Sequence, residues 1–215
     1  MRITKGGWLL VLCGLIWLSG TLPLAWANES AAAPPRLLVL GDSLSDAYRL
    51  PREAGWVALL SERLDGQVEV VNGAISGETT AGGVTRLPAL LDQFEPHWVL
   101  IILGGNDGLR ALAPSQLANN LSTMVGQAQE AGAAVALMQV RMPANLGPVY
   151  QRRFEAVYPQ IADDYDVVLL PFFLEDIFDQ PGMLMDDGIH PTAEAQPLML
   201  EALWEGLLAF MQAGQ

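Results

Sequence analysis

The sequence predicts an α/β domain built on a parallel β-sheet with helices on both faces. Three features point to it: five apolar runs of strand length, segments of helix length between them, and near-continuous apolarity within each run. A strand buried on one face alternates apolar with polar residues, whereas a strand covered on both faces has no polar side to show.

Taken in order, "NESAAAPP" at residues 28–35 is a short flexible lead of small residues and prolines. The strands are "RLLVL" at 36–40, "VEVVN" at 68–72, "WVLIILG" at 98–104, "AVALMQV" at 134–140 and "VVLLP" at 167–171. Leu117, Leu121, Met124 and Ala128 recur at intervals of 4, 3 and 4, and Leu200, Leu203, Leu207 and Phe210 at 3, 4 and 3, so each set lines one face of a helix. No internal repeat and no second domain interrupts residues 36–213.

Residues 1–27 have a different character. Arg2 and Lys5 precede the apolar run "WLLVLCGLIWL", and "AWA" stands before Asn28, the order of regions in a secretory signal peptide. Cleavage is expected after Ala27. The uncharged stretch from Gly6 to Asn28 is long enough for a membrane anchor, but Pro23 and the Ala-x-Ala ending favour cleavage. The expected destination is therefore across the inner membrane, in the periplasm, with no stable membrane insertion afterwards and a monomeric mature chain.

The full chain carries a formal net charge of −13, and loss of the leader leaves 9 basic against 24 acidic residues. Such a surface excludes nucleic-acid binding, which needs lysine and arginine in quantity. Cys13 and Lys5, the single cysteine and the single lysine, both lie in the leader. The mature chain thus excludes a disulfide, a cysteine nucleophile, a Schiff-base lysine, a P-loop lysine and a Ser–Lys dyad. Core packing alone must stabilise it.

Ligands of open parallel sheets bind beyond the carboxyl ends of the strands. Three polar, glycine-bearing segments follow strands: "GDSLS" at 41–45, "GAISGET" at 73–79 and "GGNDG" at 104–108. In the simplest reading Gly41 makes a turn and Asp42 or Ser43 caps a following helix. In the functional reading Ser43 is a nucleophile at the entrance of that helix. A serine nucleophile needs a base, and two histidines are available. His97 precedes the third strand, at the wrong end of the sheet. His190, in "DDGIHP", follows the last strand, and Asp187 stands three residues ahead, close enough for one tight turn to aim its carboxylate at Nδ1. The competing reading of "DDGIHP" is an Asp-Gly turn with Pro191 opening the final helix. Two histidines cannot form a three-histidine zinc site; a carboxylate-rich metal site stays formally open, but neither a metal nor a cofactor is expected.

"GDSLS", the "SG" of "AISGET", "GGND" and "DDGIHP" occur in the order and spacing of the four blocks of the SGNH, or GDSL, hydrolase superfamily. "GGNDGLR", "QVRMPANLGPVY" and "LLPFFLEDIF" resemble its bacterial periplasmic thioesterase I, arylesterase and lysophospholipase branch, and the likeness spans residues 36–210. The resemblance implies a flavodoxin-like three-layer α/β/α sandwich with a five-stranded parallel sheet. It further implies a Ser43–His190–Asp187 triad, and an oxyanion hole formed by the backbone N–H groups of Ser43 and Gly77 with the Asn106 side chain. The implied activity is hydrolysis of acyl esters or thioesters, including aryl esters and lysophospholipid-type substrates.

For the acyl group, the loops "LRALAP", "MPANLG" and "GMLM" are apolar for exposed connections and offer Leu109, Met142, Pro143 and Leu146 as substrate-binding residues. Arg110 or Arg141 is a candidate for an anionic leaving group, against a plain surface ion pair. The alternatives are a carbohydrate O-deacetylase on the same scaffold, favoured by a small acyl pocket with a polar rim, and a non-catalytic acyl or lipid carrier.

Overall fold

The computed structural model describes residues 33–142 and 146–213. The expected leader at 1–27 and most of the lead at 28–35 lie outside these residues, as does Pro143. Among the described residues no helix is long and apolar enough to cross a membrane.

Five strands, β1 (Arg36–Gly41), β2 (Glu69–Asn72), β3 (Trp98–Ile102), β4 (Ala134–Met138) and β5 (Val168–Leu170), form one sheet in the order β2-β1-β3-β4-β5. Every neighbouring pair is parallel. The order reverses between β1 and β3, which opens a crevice at their carboxyl ends.

The apolar runs of β1, β3 and β4 are explained by burial on both faces, while the edge strands β2 and β5 are only partly buried. Leu37 and Val39 of β1, with Trp98, Leu100 and Ile102 of β3, pack on α1 (Trp56–Arg63) and α7 (Gln196–Ala213) through Trp56, Leu60, Leu203 and Leu207. Leu38 and Leu40, with Val99 and Ile101, pack on the opposite layer: α2 (Thr80–Phe94), α4 (Pro114–Glu130), α5 (Pro148–Glu155) and α6 (Val157–Tyr165). Successive residues of a strand feed opposite layers because side chains alternate across the sheet. Both helical stripes are buried: Leu117, Leu121, Met124 and Ala128 within α4, and Leu200, Leu203, Leu207 and Phe210 within α7.

Gly104 links β3 to α3 (Gly105–Leu109) at φ +122°, in the region that L side chains avoid. A Cβ there would collide with the Tyr158 hydroxyl, which donates to Leu103 O at 2.9 Å. Gly104→Ala is therefore expected to destabilise the fold by roughly 2–4 kcal/mol, from backbone strain and overpacking together. Denaturant melts of the two proteins measure it.

Candidate active site

Beyond β1 the chain does not enter a helix. Residues 43–49 form consecutive turns, a short 3-10 segment η1 follows at Arg52–Ala54, and α1 begins only at Trp56. The expected helix entrance at Ser43 is thus corrected, and no helix N-terminus acts there. The reason lies in the backbone: Ala47 and Arg49 hold φ of 52° and 57°, left-handed values that stop a helix from propagating. Distant partners fix the turn. The Trp56 indole N–H donates to Leu44 O at 3.0 Å and Asn72 Nδ2 to Ser45 O at 2.8 Å, while Asp46 Oδ2 accepts from Ser76 N and Oγ at 3.0 and 2.8 Å.

The loop bearing His190 departs from the competing reading. α7 starts at Gln196, so Pro191 does not open the last helix. Leu184 and Pro191 instead make an antiparallel bridge, and Met185 N donates to His190 O at 2.7 Å and Thr192 N to Met183 O at 2.9 Å. Within this staple, Gly188 takes φ +67° and lets the chain fold back on Asp187. Asp187 Oδ1 accepts from Ile189 N and His190 N, both at 3.0 Å, and Oδ2 lies 2.8 Å from His190 Nδ1. Bonds from the His190 backbone and ring, then from Ile189 N–H, lower the Asp187 pKa to about 2. An ionised carboxylate only accepts, so Nδ1 carries the proton and Nε2 is left as an acceptor. Nε2 lies 2.9 Å from Ser43 Oγ, across 147 residues of sequence.

Asn106 stands in the first turn of α3, where its Nδ2 donates to Asp42 Oδ2 at 3.1 Å. Gly77 has φ +80°, and Arg110 Nη2 donates to its carbonyl at 3.2 Å. Among the described residues the N–H groups of Ser43 and Gly77 have no protein acceptor. The segments are tied together: Ile75 N donates to Gly41 O at 3.1 Å, and the buried Asp107 carboxylate accepts from Thr80 N and Oγ1 at 2.9 and 2.5 Å. Sequence reasoning placed these three segments at one sheet edge but did not identify Asp46, Thr80 and Asp107 as their connections.

Asp42 also escaped sequence reasoning, beyond its reading as a cap. It is 3% exposed, accepts from Leu44 N at 3.1 Å, and holds one amide hydrogen of Asn106. Burial raises its pKa from 3.8 to about 6, against lowering by Leu44 N–H and Asn106. A carboxyl with a raised folded pKa favours the fold below its unfolded pKa and loses that contribution as pH rises through the folded value. Above pH 6 the buried charge therefore costs about 1–3 kcal/mol. Asp42→Asn is expected to raise Tm at pH 8, with the gain vanishing below about pH 4, and to lower turnover because Asn106 loses its anionic anchor. Melts at the two pH values, beside a rate assay, check both halves.

Ser43, Asn106 and His190 line a cavity of about 480 Å³. Its walls include Leu109, Val140, Met142, Phe172, Leu174, Phe178 and Ile189. Leu109 and Met142 thus face the same space as Ser43. Leu146 does not: it lines a separate hollow with Pro114, Pro148, Val149 and Tyr150, which corrects its expected place beside the substrate. Of "GMLM", Met183 packs against the core and Leu184 makes the bridge to Pro191, so neither serves the cavity. Phe172, Leu174 and Phe178 were missed; the apolar "PFFLEDIF" after the last strand was their signal. Arg141, on the cavity wall, pairs with Glu175 at 2.6 Å and Glu155 at 3.7 Å. His97 sits at the amino end of the sheet, accepting from Arg36 N at 3.2 Å.

Comparison with known proteins agrees with this architecture. The chain is 48% identical over 171 residues to "Thioesterase 1/protease 1/lysophospholipase L1" of Escherichia coli (strain K12), covering 80% of this chain and 82% of that protein. It is 47% identical over 184 residues to the "Arylesterase" of Vibrio mimicus, covering 84% and 92%. The crystal structure of the psychrotrophic esterase EstA from Pseudoalteromonas sp., inhibited by monoethylphosphonate, superposes with a TM-score of 0.80 at 39% identity, covering 82% of this chain and 98% of that one. Residues 39–197 match the GDSL-like Lipase/Acylhydrolase family, and the chain belongs to that family.

Proposed function

We propose that this chain is an exported serine esterase and thioesterase that cleaves acyl esters through an acyl-enzyme. The observation that carries the reading is the unbroken path Asp187 Oδ2–His190 Nδ1, 2.8 Å, and His190 Nε2–Ser43 Oγ, 2.9 Å, opening on an apolar cavity. Ser43 Oγ attacks the carbonyl carbon and passes its proton to Nε2, and Asp187 stabilises the resulting imidazolium. The tetrahedral oxyanion accepts from the N–H groups of Ser43 and Gly77 and from the second amide hydrogen of Asn106. Collapse expels the alcohol or thiol, which takes the proton from Nε2. Water then attacks the acyl-Ser43 with His190 again as base, releasing the acid.

The cavity supports an acyl chain rather than an acetylated sugar. Leu109, Phe178 and Ile189 are 45%, 39% and 36% exposed around it, large apolar residues that a carbohydrate rim would not use. The high acidic charge disfavours polyanionic substrates and suits neutral esters and single acyl chains. The test is a series of p-nitrophenyl esters from two to sixteen carbons. We expect kcat/KM to rise from acetate to medium chains, each buried methylene contributing up to about 0.8 kcal/mol. Activity confined to acetate would favour a deacetylase, and none at all a carrier. Export is supported by the leader pattern in residues 1–27, and N-terminal sequencing of the periplasmic protein is expected to begin at Asn28.

A further inference from the structure

One contact at His190 has no part in the proton path. The Tyr48 ring lies against the imidazole with centroids 4.1 Å apart and planes inclined by 30°. Both ring nitrogens of His190 are engaged, by Asp187 and Ser43, so Tyr48 meets the π surface that hydrogen bonds leave open. Tyr48 belongs to the same turn as Ser43, and its neighbours on either side, Ala47 and Arg49, are the two left-handed residues of that turn. Non-glycine residues hold such backbone values only where surrounding contacts over-determine them. Here the Ala47 methyl occupies the space that a Cβ on Gly55 would need, and Leu50 N closes onto Ala47 O at 2.9 Å. The turn thus accepts strain on both sides of one residue, and that residue is the one brought against the base.

We propose that Tyr48 is a positioning residue for His190, holding the imidazole plane between Asp187 and Ser43 and presenting a π face to the positive charge that develops as Ser43 loses its proton. The proposal rests on His190 acting as the base. An aromatic face attracts a cation most strongly where water is excluded, and neutral imidazole gains much less. The contribution therefore appears in the transition state and not in substrate binding, which places it in kcat. Other charges face the pair. Asp187 holds Nδ1, the Asp42 carboxyl lies near enough for His190 to lower its pKa, Glu175 and Asp179 line the cavity that His190 also lines, and the Arg49 guanidinium sits 5.1 Å from the Tyr48 ring. Tyr48→Leu removes the ring that Arg49 faces but none of the carboxylates, and covers the imidazole with an apolar side chain that has no π face.

The experiment compares Tyr48→Leu and Tyr48→Phe with the unaltered protein, by steady-state hydrolysis of a p-nitrophenyl ester and by the rate at which a fluorophosphonate labels the protein. For Tyr48→Leu we expect kcat about tenfold lower, KM within about twofold, and labelling slowed by a similar factor. Tyr48→Phe is expected to restore both rates to within about twofold, since the face is kept and only the hydroxyl is lost. Thermal melts accompany each variant, and if the leucine variant melts below assay temperature, Tyr48→Met makes the same comparison. Unchanged kcat and labelling in the leucine or methionine variant, a loss confined to KM, or a phenylalanine variant as slow as leucine would each overturn the proposal. Full turnover by Ser43→Ala would instead overturn the reading beneath it, whatever Tyr48 does.

Discussion

Ser43→Ala is expected to lower kcat for a p-nitrophenyl ester by about 10⁴- to 10⁶-fold while moving Tm by no more than about 2 °C. The size follows from what the hydroxyl does. In the proposed mechanism it supplies the bond-forming atom, and residues 28–215 hold no cysteine or lysine to replace it. The fold survives because Ser43 Oγ has His190 Nε2 as its bonding partner, while the turn is held by Trp56, Asn72 and Asp46 through other atoms. His190→Ala should cost nearly as much, and the double variant little more, because nucleophile and base act as one unit. A Ser43→Ala protein with ordinary turnover would mean that another residue attacks the ester.

Asn106→Ala is the second large effect, a fall of about 10²- to 10³-fold in kcat with KM nearly unchanged. The amide donates one hydrogen to Asp42 Oδ2 at 3.1 Å, and the planar group then has its other hydrogen fixed in direction before substrate arrives. Such preorganisation is worth about 2.7–4 kcal/mol to a developing oxyanion, and far less to a neutral carbonyl oxygen. A loss in KM alone would make Asn106 a binding group. The link to Asp42 adds a directional check. Asp42→Asn should resemble a weaker Asn106→Ala in rate yet be the more stable protein at pH 8, because a buried carboxylate has been removed.

The strands were legible because burial on both faces leaves an unmistakable apolar run: "WVLII" of β3 is buried at every position. The edge strands β2 and β5 were read from the same apolar runs although they are only partly buried. Ser43, His190 and Asp187, which the structure brings within hydrogen-bonding distance of one another, could be picked out from the scarcity of histidine and from local spacing at Asp187 and His190. What escaped was decided by contacts distant in sequence. The turn after Ser43 reads locally as a helix start, and it is Gly55 against Ala47 and Asn72 on Ser45 O that give it another path. Leu109, Met142 and Leu146 look alike as apolar loop residues, and only the packing of α4 and α5 sends Leu146 to a different hollow. Asp42 resembles any residue that caps a turn. Its second oxygen finds Asn106 64 residues away, a partner that no local pattern could supply.

The most direct test of the proposed proton transfer from Ser43 to His190 is peptide mapping after exposure of the active protein to a fluorophosphonate. Our account requires one adduct per chain on Ser43, loss of esterase activity in proportion to labelling, and much slower labelling in His190→Ala. An adduct on any other residue, or undiminished hydrolysis by protein fully labelled at Ser43, would contradict it.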